Sequence, residues 1–207
     1  MDSLIINEET QETKGVIMHE ALGTVIVNGG VLQLLSGTVY SSRCGIMSSN
    51  RLYIFGGTIQ VESQEVGYGI ESYDSEFEMS GGSIIVNSKD NAFGLYIGNG
   101  GTISDNSNIQ VESEEDEGVA VQTFGTLLVT GGTFKAVGAT LSTGIVIDGE
   151  TLLIGGVEQS CSAIDIEAQN GIDVYEGIVV FDECSTGDLV VNINYTIYSD
   201  ARGIRVG

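Results

Sequence analysis

Between residues 45 and 160 the apolar residues come in pairs separated by one polar position, and the pairs recur at a fixed distance. One set is Leu52-x-Ile54, Phe77-x-Met79, Leu127-x-Val129 and Leu152-x-Ile154. A second set follows a turn: Ile59-x-Val61, Ile84-x-Val86, Ile109-x-Val111 and Phe134-x-Ala136. A third follows a glycine: Gly45-Ile46-x-Ser48, Gly69-Ile70-x-Ser72, Gly94-Leu95-x-Ile97, Gly118-Val119-x-Val121 and Gly144-Ile145-x-Ile147. Alternation with period two describes a half-buried strand, one side chain in and the next out. The turns mark the longer period, because they return at nearly equal steps. They are Gly56-Gly57-Thr58-Ile59, Gly81-Gly82-Ser83-Ile84, Asn106-Ser107-Asn108-Ile109, Gly131-Gly132-Thr133-Phe134 and Gly155-Gly156-Val157-Glu158.

A fixed period of about 25 residues predicts stacked coils, each carrying three short strands. Coils stacked at ~4.8 Å pair every strand with its equivalent in the next coil, and that pairing is parallel. The expected fold is therefore all-β: a single-stranded parallel β-helix, right-handed, with inward columns of Ile, Val and Leu. Heptads for a coiled coil are absent. No run of ~20 apolar residues exists to cross a membrane.

One domain, 1–207, is expected, with three zones. Residues 1–44 hold strand-like segments at a short, even spacing (Gly23-Thr24-Val25, Gly30-Val31-Leu32, Gly37-Thr38-Val39), which predicts an irregular N-terminal coil or cap. Residues 45–160 carry the regular repeats. In residues 161–207 the repeat degenerates: Ala163-Ile164-Asp165-Ile166, Ile172-x-Val174 and Ile178-x-Val180 predict a further coil, and Arg202–Val206 the opening strand of another. An exposed final edge invites end-to-end stacking with flanking repeats.

Composition changes the picture in three ways. Thirty glycines with no proline suit unbroken ladders. A net charge of −22, with 7 Lys and Arg, argues against phosphate-backbone binding and against attraction to anionic lipid. The expectation is thus no nucleic acid and no membrane insertion. The three cysteines argue against a complete disulfide framework. Cys161 and Cys184, close to one period apart, are expected as stacked neighbours, either as buried thiols or as one disulfide, and Cys44 as a packed thiol.

Two constellations carry candidate chemistry. Glu65, Asp90 and Glu115 lie one period apart, and Glu62, Asn87 and Glu112 form a second column just before them. Stacked carboxylates repel by about 1 kcal/mol per pair in water. A Ca²⁺ ion, which takes six to eight oxygens, would reverse that repulsion; the plain alternative is a solvated acidic turn. Tyr68 and Phe93, also one period apart, are expected to stack at a coil corner, as a platform for a sugar ring or as a self-packing aromatic ladder. A third column, Asn50, Asp74 and Asn99, suits turn structure. Enzyme motifs are missing, and His19 is the only histidine, so no catalytic residues are assigned and the chain is read as a non-enzyme.

The string Leu52–Val61, approached by Phe77–Val86 and Leu127–Ala136, resembles the tandem repeats of secreted bacterial carbohydrate-binding β-helix proteins. Gly29–Leu34 is similar to adhesin passenger repeats. The resemblance implies a secreted or cell-surface module that binds a polysaccharide or a host glycan, or acts in adhesion. It also implies an acidic plant polysaccharide as ligand, with calcium between coils. Two other readings remain open: a purely structural spacer in a larger surface protein, and a polysaccharide lyase or hydrolase.

Overall fold

Every strand pairing among the described residues is parallel. The computed structural model describes residues 4–6, 21–22, 24–27, 31–34, 37–73, 77–186, 190–194 and 202–206. It is a parallel β-solenoid of about six turns. His19 and Asp74 lie outside the described residues.

Each regular coil contributes three strands, as the alternation requires. The first-strand ladder stacks Cys44–Ser48, Gly67–Ser72, Ala92–Ile97 and Glu117–Thr123. The second stacks Arg51–Ile54, Phe77–Met79, Gly100–Ile103 and Thr126–Val129. The third stacks Thr58–Ser63, Ser83–Ser88, Asn108–Ser113 and Gly132–Val137. Ile59, Ile84, Ile109 and Phe134 sit in one register column and each is 0 % exposed. Burying such a side chain contributes roughly 1.5–3 kcal/mol, and the columns merge into one continuous core.

The glycine that opens the first-strand apolar pair has a packing cause. A Cβ at Gly45, Gly69 or Gly144 would lie 2.3 Å from the γ2 methyl of Ile59, Ile84 or Ile166 respectively, and one at Gly94 would lie 2.4 Å from that of Ile109. The β-branched third-strand column therefore excludes a side chain from the facing backbone. In the coil whose column residue is Phe134, which is not branched at Cβ, Ala120 takes the glycine's place and is fully buried.

Ala120 also corrects the register expected from sequence. Gly118-Val119 reads as the equivalent of Gly94-Leu95, but the structure pairs Ala92 with Gly118 and Leu95 with Val121. The shift is by an even number of positions, so alternation is preserved and the same faces remain buried.

The ends depart from the regular period in opposite senses. At the N-terminal end Val39 pairs with Ile59, Leu34 with Ile54 and Val25 with Ile46, all closer in sequence than one regular coil. The short spacing of these strands leaves room for only minimal turns, and it produces smaller coils. Toward the other end the third-strand column passes from Phe134 to Ile166, a step clearly longer than the regular one. Gly155-Gly156 is therefore not the next third-strand turn. Both glycines have positive φ, 88° and 156°, and lie inside an unbroken strand, Leu141–Ser160, that serves the first two ladders at once. Asn170–Thr186 does the same in the following coil.

Cys161 and Cys184 form a disulfide across these two enlarged coils. Their sequence separation of 23 corresponds to about 3 kcal/mol of stabilisation on the chain-entropy model. Reduction should lower the melting temperature, and a scan with and without dithiothreitol checks it. No change would mean that the long coil is held by its ladders alone.

Turns between strands are held by buried hydroxyls that the sequence reading passed over. Ser63, Ser88 and Ser113 stack at the end of the third strand, each no more than 5 % exposed. Ser63 Oγ donates to the Val66 carbonyl at 3.2 Å and Ser88 Oγ to the Asp90 carbonyl at 2.9 Å. These bonds fix where the following acidic turn leaves the sheet.

Candidate ligand-binding surface

One of the two acidic columns, that of Glu62, Asn87 and Glu112, lines an open groove, and Glu65, Asp90 and Glu115 are not among its lining residues. Glu62, Asn87 and Glu112 are in direct register on the outer face of the third ladder. Together with Ser63, Gln64, Ser88, Lys89 and Glu114 they line a groove of about 280 Å³. The charges are partly answered within the chain. Asn87 Nδ2 donates to Glu62 Oε1 at 2.8 Å, and Lys89 Nζ lies 3.4 Å from Glu115 Oε1. The backbone N–H of Glu115 donates to the Lys89 carbonyl and that of Glu65 to Ser63 Oγ, so these turns follow the stacked serines. Among the described residues no three His, Cys, Asp or Glu side chains gather on one point. Glu65, Asp90 and Glu115, expected as one set of ligands, are not gathered on one point.

The first ladder presents a different surface. Tyr68 and Phe93 are register partners whose rings stack at 5.2 Å with 10° between planes. The two rings lie nearly parallel, one on the other, as in an aromatic ladder. They are joined by residues that the period did not mark. Tyr96 meets Tyr68 at 5.8 Å and Phe93 at 5.9 Å, edge to face. It also meets Tyr73 at 6.3 Å and Phe124 at 5.3 Å. These rings form one cluster centred on Tyr96. It lies outside the solenoid because the first strand bends. In Ala92–Ile97 the buried residues are Ala92, Gly94, Leu95 and Ile97, so two consecutive positions turn inward and Phe93 and Tyr96 turn out on either side.

Sequence reasoning missed three of these rings because the usual signal was lacking. Tyr96 shares a register column with Glu71, Met47 and Gln122, so no aromatic recurs there from coil to coil. Tyr73 and Phe124 occupy equivalent places in coils separated by a third, where the residue is Gly98. The backbone N–H groups of Tyr73, Gly98 and Phe124 each donate to the last first-strand carbonyl of the coil before: Ser48, Ser72 and Ile97. Only outward alternation within each strand, read across three coils, could have joined them.

Polar groups border the rings. The Tyr73 hydroxyl donates to Glu71 Oε1, and this bond holds its pKa up at about 12. Burial pushes the Tyr96 hydroxyl up, followed by the negative charges of Glu71 and Asp148. Burial also raises Tyr68, with Glu71 adding to it and Arg43 opposing. All three hydroxyls stay protonated at neutral pH and can donate. Burial pushes the Cys44 thiol up to about 12, so it is a packed group rather than a nucleophile.

No family model, curated protein or solved structure matches this chain. No helix among the described residues is long and apolar enough to cross a membrane.

Proposed function

We propose that the chain is a non-catalytic module of an extracellular or cell-surface protein, binding a glycan on the outer face of its first ladder. The observation that carries this reading is the ring cluster around Tyr96, with Tyr73 50 % exposed at its edge. Aromatic faces take up the C–H surfaces of sugars, while Glu71, Asp148 and the tyrosine hydroxyls offer acceptors and donors for sugar hydroxyls. The stacked strands beneath supply a rigid base for the constellation. The Cys161–Cys184 disulfide supports an oxidising, exported location. A glycan array, run with and without calcium, is expected to show binding to at least one polysaccharide. Silence across acidic and neutral glycans would leave the spacer reading.

Calcium enters this reading through the acidic turns beside the groove, at Glu65, Asp90 and Glu115. An ion that binds only the folded stack stabilises it by mass action. Millimolar calcium is expected to raise the melting temperature at constant ionic strength. The double variant Asp90→Asn with Glu115→Gln is expected to abolish that rise. An equal effect from sodium at matched ionic strength reduces the acidic turns to simple screening.

A further inference from the structure

Resting on the glycan reading above, we infer that the ligand of the aromatic surface is an uncharged glycan chain lying over Tyr73, Tyr96 and Phe124, bound without calcium. The row that holds Tyr73 and Phe124 is interrupted by Gly98. A Cβ there would stand 2.0 Å from the Tyr73 carbonyl oxygen, so no side chain can occupy the middle place. The outer rings of the row are therefore two coil rises apart, ~9.6 Å from the inter-strand spacing. Tyr96 leans toward this interval from the neighbouring column, at interplanar angles of 69° to Tyr73 and 65° to Phe124. Unlike the Tyr68–Phe93 pair, these rings do not close face to face on each other.

Charge decides the class of sugar. Glu71 is the direct strand neighbour of Tyr96 and accepts the Tyr73 hydroxyl, and Asp148 acts on Tyr96 as a second negative charge. The charge of Arg43 is felt at Tyr68. A polyuronate laid over Tyr73, Tyr96 and Phe124 would set its carboxylates against Glu71 and Asp148, on a chain of net charge −22. An uncharged glycan meets no such repulsion. Its hydroxyls donate to the two carboxylates, and hydrogen bonds to an ionised acceptor are the strong kind. Calcium, which would be needed to bridge a polyanion to these groups, has no part in holding such a ligand.

Isothermal titration of the whole chain against xylan, mannan and mixed-linkage β-glucan, and separately against polygalacturonate, tests this. Each is run with calcium and with a chelator. The expected result is binding to at least one uncharged glycan, unchanged by the chelator and weakened tenfold or more by Tyr73→Ala. Phe55→Ala, at an exposed ring away from the cluster that is 39 % accessible, should leave it unchanged. Unchanged melting of both variants confirms that folding is not the cause. Binding confined to polygalacturonate, or lost with the chelator, overturns this inference while the glycan reading stands. Uncharged-glycan binding that survives Tyr73→Ala overturns the location. No binding to any polymer overturns both.

Discussion

Ile84→Asp is expected to unfold the chain or to cost more than about 4 kcal/mol, the range reserved for an unpaired charge buried in a packed core. Ile84 is fully buried and stands between Ile59 and Ile109 in the same column. A carboxylate there removes apolar contacts to the coils above and below, and it finds no partner within the column. An outward residue of the preceding coil gives the contrast. Gln60 is half-buried and hydrogen-bonded to Glu62 at 3.2 Å. Gln60→Ala should stay within about 0.5 kcal/mol, as surface changes usually do. Chemical denaturation of both variants checks the pair, and similar midpoints would contradict the inside–outside assignment.

The second large effect is expected at a position with no side chain at all. Gly94→Val should cost about 3 kcal/mol or more, because overpacking here meets backbone as well as side chain. The first added atom would already lie 2.4 Å from the Ile109 γ2 methyl and 2.5 Å from the Ala120 carbonyl oxygen. The side chain can give by changing rotamer, but the carbonyl belongs to the ladder and cannot move without breaking it. Ala120→Gly, at the equivalent place in the next coil, should be mild, since it removes one methyl and creates no clash. Thermal melting of the two variants separates them, and a Gly94→Val chain that melts near the parent would mean that the coils are spaced more loosely than the pairing indicates.

These two positions show what the amino-acid pattern conveys and where it stops. The Ile59–Phe134 column was legible because apolar alternation and a constant period report the same thing, and parallel stacking leaves each residue only one partner per coil. The Gly118 register was not legible, because a shift by an even number of positions keeps the alternation and so leaves no trace in polarity. The long coil after Phe134 was misread for a similar reason: Gly155-Gly156 copies the turn signal, while its pairing with the next coil depends on contacts far along the chain. At the site, Tyr68 and Phe93 were visible because they repeat with the coil. Tyr73, Tyr96 and Phe124 were not, because their meeting depends on the bend at Gly94-Leu95 and on the missing side chain at Gly98.

The central claim is that this outer aromatic face, and not the acidic groove, contacts the ligand. Hydroxyl-radical footprinting with and without a saturating glycan reads it at individual side chains. Tyr73 is 50 % exposed, Phe55 39 % and Tyr40 36 %, so all three report in the free chain. The account predicts that bound glycan protects Tyr73, with Tyr96 and Phe124, while Tyr40 and Phe55 keep their reactivity. A saturated complex in which Tyr73 remains fully reactive, or in which protection falls on Lys89 and its neighbours in the groove, would contradict it.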